Sequence, residues 1–104
     1  SVFAGSVYGM SDVTHLGLYD IPMLSNIPNL VYLAPATKEE YLSMLDWAIE
    51  QKEYPVAVRV PGGPVISDGK EVKNDWSDLN KYEVTKNGSK IAVIALGTFY
   101  QLGE

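Results

Sequence analysis

Five residues that carry almost no polarity, Leu30-Val31-Tyr32-Leu33-Ala34, run up to Pro35 and follow Pro28-Asn29. An apolar run without polar alternation suits a strand buried on both faces, which is the habit of parallel sheets. Val56-Ala57-Val58-Arg59-Val60 is a second strand of this kind, and Ile91 to Leu96 is again apolar throughout. Strand, helix, strand with a right-handed crossover puts the first two parallel. Strands covered on both faces need helices on both faces. The chain supplies one full helix, one short one and a helix start after Gly97, so nothing covers the Ile91–Leu96 strand. The expected fold class is therefore α/β, a mainly parallel sheet with flanking helices. It is expected to be incomplete, an excerpt of a larger α/β enzyme.

The connecting segments have their own signals. Asp20 is placed to cap a short helix with its side-chain oxygen, and Pro22 fits the first turn, where a missing N–H costs little. Pro28 disfavours helix at Ile27, so about two turns are expected before the chain leaves extended. Thr37 and Glu40 form the Thr-x-x-Glu capping pattern at the start of a helix from about Lys38 to Lys52. Tyr41, Leu45 and Ala48 mark its apolar stripe, widened by Leu42 and Ile49. Tyr54-Pro55 ends it. Residues 61–80 carry Gly, Pro, Ser, Asp and Asn without a period and read as a linker, pinned by Trp76 and Leu79 to a neighbouring surface. Lys81–Thr85, Asn87-Gly88 and Lys90–Leu96 read as a hairpin, because Asn-Gly favours a tight turn with positive φ.

Composition excludes several functions. A net charge of −5, with one arginine and seven scattered lysines, argues against a nucleic-acid partner. Absence of cysteine removes disulfides and thiolate metal sites. No apolar run approaches the roughly 20 residues of a membrane span, and no basic-then-apolar leader opens the chain. A cytoplasmic location without membrane partners is the expectation. Asn87-Gly88-Ser89 is better explained as a turn than as a glycosylation site. Ser67-x-x-Lys70 lies in a loop without the companion motifs of a serine nucleophile.

His15 is the one histidine, in a loop that leads to the short helix and then to the Leu30–Ala34 strand. Open α/β folds place chemistry in such loops. The segment Thr14-His15-x-Gly17-x-x-Asp20, then Ile27-Pro28-Asn29 and a strand ending in Ala34-Pro35, resembles the pyrimidine-binding domain of the transketolase family. The resemblance runs most nearly to the 1-deoxy-D-xylulose-5-phosphate synthase branch, and it continues to Ala57-Val58-Arg59-Val60-Pro61. It extends more loosely to Ile91–Thr98. It implies that residues 1–60 are the C-terminal part of that domain, 61–80 a linker and 81–104 the start of the next domain.

The resemblance also implies a thiamine-diphosphate enzyme that moves a two-carbon unit, ketol or acetaldehyde, from a keto acid or ketose donor to an aldehyde acceptor. The complete enzyme would be a homo-oligomer, with thiamine diphosphate and Mg²⁺ held by a domain upstream and no tight cofactor binding by this stretch alone. His15 is the implied catalytic residue, handling substrate oxygens by hydrogen bonding or proton transfer, work that suits imidazole near neutral pH. The family's substrate-binding aspartate, four residues before the histidine, is Ser11 here, with Asp12 one place later. Arg59 is the remaining substrate-binding candidate, a ligand for carboxylate or phosphate or equally half of a structural ion pair. Asp20 reads as a helix cap rather than a catalyst. Family arginines that would stand at positions 4 and 62 are Ala4 and Gly62, so a phosphorylated acceptor is expected to be weakly distinguished. A non-catalytic interaction domain, or a subunit of a split enzyme, is the alternative. The β subunit of a 2-oxoacid dehydrogenase fits the spacing less well.

Overall fold

The computed structural model describes residues 2–4, 17 and 19–104, residues 2–4 through their backbone alone. Val2–Ala4 (β1) and Val31–Leu33 (β2) flank Val56–Val60 (β3) in a three-stranded sheet, and both pair parallel with it. The α/β expectation holds. Lys38–Glu50 (α2) is the crossover from β2 to β3, and Asp20–Leu24 (α1) precedes β2. The register sets Val31 beside Val56, Tyr32 beside Ala57 and Leu33 beside Val58. Alternation along a strand then gives two faces. Val31, Leu33, Val56 and Val58 share one face; Tyr32, Ala57 and Arg59 share the other. On β3, Ala57, Val58 and Arg59 are all buried in succession, as a central strand covered on both sides requires.

The first face packs on α2. Val31 and Leu33 meet Met44 and Trp47, and Val56, Trp76 and Leu79 close the cluster. The stripe expected on α2 is therefore rotated. Tyr41, Leu45 and Ala48 are half-buried, while Leu42 and Ile49 stand out to solvent. The cap is as expected at its first half: Glu40 N–H donates to Thr37 Oγ1 at 3.2 Å. Its reciprocal half is shifted by one residue, since Glu40 Oε2 accepts from the Ala36 amide at 2.8 Å. The helix stops at Glu50. Gln51 is extended (φ −73°, ψ 152°), and its side chain accepts from the amides of Glu53 and Tyr54 and donates to the Tyr54 carbonyl.

Residues 61–80 contain no helix or strand, and they return alongside α2. Lys38 N–H donates to the Ile66 carbonyl at 3.0 Å. Ser43 Oγ donates to the Lys73 carbonyl at 2.5 Å and accepts from Trp76 Nε1 at 3.0 Å. Trp76 and Leu79 thus pin the segment, as their sequence context suggested.

Three further expectations fail. α1 has Tyr19 at its cap position and no side-chain cap, because Asp20 lies one residue inside the helix and turns inward. After α1 the chain coils through two turns, Leu24–Ile27 and Ile27–Leu30, instead of extending. Asn29 takes φ 58° there, a conformation asparagine tolerates better than most residues. No hairpin forms: residues 81–96 carry no strand, and Ile91 and Ile94 are 82% and 95% exposed. A two-stranded ribbon needs a third strand or a helix against its apolar face, and none of the described elements provides one. Past Gly97 a 3₁₀ turn (Gly97–Phe99) leads into Tyr100–Gly103 (α3). Gly97 has φ 58°, and an added Cβ would lie 3.4 Å from the Ala34 Cβ, so glycine lets this turn lie against the end of β2.

Candidate functional site

In an open parallel sheet, ligands collect beyond the C-terminal ends of the strands. Arg59 is the fourth of the five residues of β3 and so sits at that edge. Its place on the face opposite α2 turns it toward α1. Arg59 Nε donates to Asp20 Oδ2 at 2.7 Å, and Nη2 donates to Asp20 Oδ1 at 3.4 Å. Nη2 also donates to the carbonyl of Gly17 at 2.5 Å. Tyr32, on the same face one strand away, donates its hydroxyl to Asp20 Oδ2. Asp20 and Arg59 are 6% and 9% exposed, so the pair is out of water.

The chemistry of this cluster follows from its surroundings. Burial pushes the Asp20 carboxyl up, but hydrogen bonds from Arg59 and Tyr32 and the guanidinium charge outweigh it and hold the group below its ordinary range. Burial and the Asp20 carboxylate together push the Tyr32 hydroxyl well above its ordinary range. The hydrogen bond to Asp20 likewise raises Arg59, against the opposing effect of burial. At neutral pH the carboxylate is firmly ionised and a poor base, and the phenol is firmly protonated and a poor acid. Groups poised for proton transfer titrate near the working pH. Asp20 lies below that range and Tyr32 above it.

Of the residues singled out in the sequence, Ser11, Asp12 and His15 lie outside the described residues, as does Thr14. Gly17 is half-buried, and its carbonyl is tied to β3. Asp20, expected as a cap, is the centre of the buried cluster; its carboxylate accepts stronger, charge-assisted bonds from Arg59 than backbone amides would give. Of the two roles open to Arg59, the structure shows an ion pair. Tyr32 was missed. The available signal was its hydroxyl inside an apolar strand buried on both faces, since a buried phenol finds a partner. Beside the cluster lies an open, largely apolar cleft of about 480 Å³, lined by Gly17, Ile21, Arg59, Val93, Leu96 and Phe99 among others.

Among the described residues no group of three or more acidic or histidine side chains could hold a metal ion, and the buried carboxylate is fully engaged. Also among them, no helix is long and apolar enough to cross a membrane.

Residues 2–64 match the family described as transketolase, pyrimidine binding domain. The chain is similar to the 1-deoxy-D-xylulose-5-phosphate synthase of Clostridium acetobutylicum, at 38% identity over 91% of this chain and 15% of the relative. The protein of the same name from Clostridium tetani is 39% identical over 86% of this chain and 14% of its own. That of Heliobacterium modesticaldum is 33% identical over 96% and 15%. The chain thus spans about 15% of the length of these relatives. No solved structure matches it.

Proposed function

The chain belongs to the transketolase pyrimidine-binding family, and from that premise we propose that it forms part of a thiamine-diphosphate-dependent transferase. On this reading the transferase moves a two-carbon unit, ketol or acetaldehyde, from a keto acid or ketose to an aldehyde, as the family resemblance implies. The observation that carries this reading is the family match over residues 2–64, which takes in the whole Thr14-His15-x-Gly17-x-x-Asp20 motif. Residues 1–60 are the end of the pyrimidine-binding domain, 61–80 a linker and 81–104 the start of the next domain. The complete protein is a cytoplasmic homo-oligomer.

Thiamine diphosphate supplies the electron sink for the migrating unit. The described residues do not fit its metal ion, since they offer no cluster of acidic or histidine side chains. Mg²⁺ and the diphosphate belong to other residues of the complete protein. This chain works on the substrate side. His15 exchanges hydrogen bonds or protons with substrate oxygens, for which an imidazole titrating near neutral pH is suited. Ser11 or Asp12 binds a substrate hydroxyl.

The test is turnover by the full-length protein with a 2-keto acid and an aldehyde, with and without thiamine diphosphate. Product formation that requires both the aldehyde and the cofactor is expected. A well-folded full-length protein that neither binds thiamine diphosphate nor forms product would overturn the reading in favour of an interaction domain.

A further inference from the structure

The cluster on the inner face of β3 brings together residues that are far apart in the chain. Arg59 reaches Asp20 across 39 positions and Gly17 across 42, and Tyr32 reaches Asp20 across 12. A pair buried this far gains little net stability over apolar residues of the same volume, because both charges must leave water. What it adds is direction. Guanidinium and carboxylate meet in a planar fork that tolerates little displacement, and here a backbone carbonyl outside any helix or strand is included in the same fork. That carbonyl is at Gly17, two residues after His15 in the sequence.

We propose that Arg59, Asp20 and Tyr32 are positioning residues: they fix the Gly17 carbonyl and the start of α1 against β2 and β3, and the contribution of His15, two residues before Gly17 in the sequence, to turnover depends on that anchoring. This rests on the reading of His15 given above. It also accounts for the use of the one arginine. With Nε and Nη2 committed to Asp20 and Gly17, and its charge offset by the carboxylate, Arg59 acts through its neighbours rather than as the anchor of a substrate phosphate. Tyr32 completes the arrangement from β2, fixing the same Asp20 oxygen that Arg59 Nε holds.

The test is a double-mutant cycle in the full-length protein, assayed well below the melting temperature of each variant. Tyr32→Phe removes one hydroxyl and keeps the ion pair. It should lower kcat about 10- to 100-fold, the scale of a displaced reacting group, with little change in KM. In a His15→Ala background the same substitution should change kcat less than about twofold, because effects transmitted through one residue vanish when that residue is gone. Arg59→Lys keeps the charge but loses the fork, and should show the same dependence on His15; it serves if Tyr32→Phe does not fold. Equal losses in both backgrounds would overturn the positioning role while leaving His15 catalytic. A His15→Ala enzyme with unchanged kcat would overturn the reading of His15 itself, and the positioning role with it.

Discussion

Arg59 and Asp20 form a pair whose two halves cannot be lost independently. Arg59→Met leaves an ionised carboxylate buried beside Tyr32, and breaking a buried pair from one side costs about 3–5 kcal/mol. Asp20→Leu combined with Arg59→Met should recover much of that loss, and denaturant titration of the single and double variants checks it. The pH dependence has a definite sign. Asp20 titrates below its ordinary value of 3.8 when folded, so its contribution is present in full above that value and is lost as pH falls below it. In Asp20→Asn that acid-side loss should disappear from the stability profile. At Gly62 the question is specificity. If the missing arginine leaves the acceptor's phosphate loosely held, Gly62→Arg should favour a phosphorylated aldehyde over its unphosphorylated analogue by about 1.5–3 kcal/mol, read by competition kinetics. A wild-type preference of roughly a thousandfold, about 4 kcal/mol at 1.4 kcal/mol per factor of ten, would contradict it. Arg59 was legible as the one cation at a strand end. Its partner was not, because Asp20, two residues before Pro22, satisfies the local pattern of a cap equally well, and only the fold brings residues 20, 32 and 59 together.

The element boundaries show the same division between local and tertiary causes. β3 was legible to the residue, since Pro55 and Pro61 bracket an apolar run. The start of α2 was legible too, because its capping chemistry is local. Thr37→Ala should destabilise the protein by about 1 kcal/mol, the usual loss for such a cap. Which face of α2 is inward was read about one position wrong. Apolar residues surround much of this helix, and the returning segment, through Trp76, Leu79 and the Ser43 hydrogen bonds, decides the matter. The contrast is measurable: Trp47→Ala should cost about 3–5 kcal/mol, and Ile49→Ala, at 79% exposure, within about 0.5 kcal/mol. Equal costs would return the stripe to its sequence-based position.

At the scale of the whole chain, the expectation that failed most clearly was the hairpin over residues 81–96. Its turn signal and apolar arm are real features of the sequence, but a strand is stable only where something covers and pairs with it. Instead Val84, Ile91, Val93, Ile94 and Leu96 face solvent. An apolar surface of this extent favours association, so the 104-residue chain alone should sediment with a concentration-dependent mass. A concentration-independent monomer that unfolds cooperatively would count against that. The sheet, by contrast, was legible as parallel with buried strands, and the family match that takes in the Thr14-His15-x-Gly17-x-x-Asp20 motif carries the functional reading. The most direct test of that reading is the turnover of His15→Ala in the full-length protein, measured beside its affinity for thiamine diphosphate. The account predicts kcat lower by about 10²–10⁴-fold, the usual scale for an acid–base group, with cofactor affinity little changed. Unchanged kcat, or a loss explained entirely by weaker cofactor binding, would contradict it.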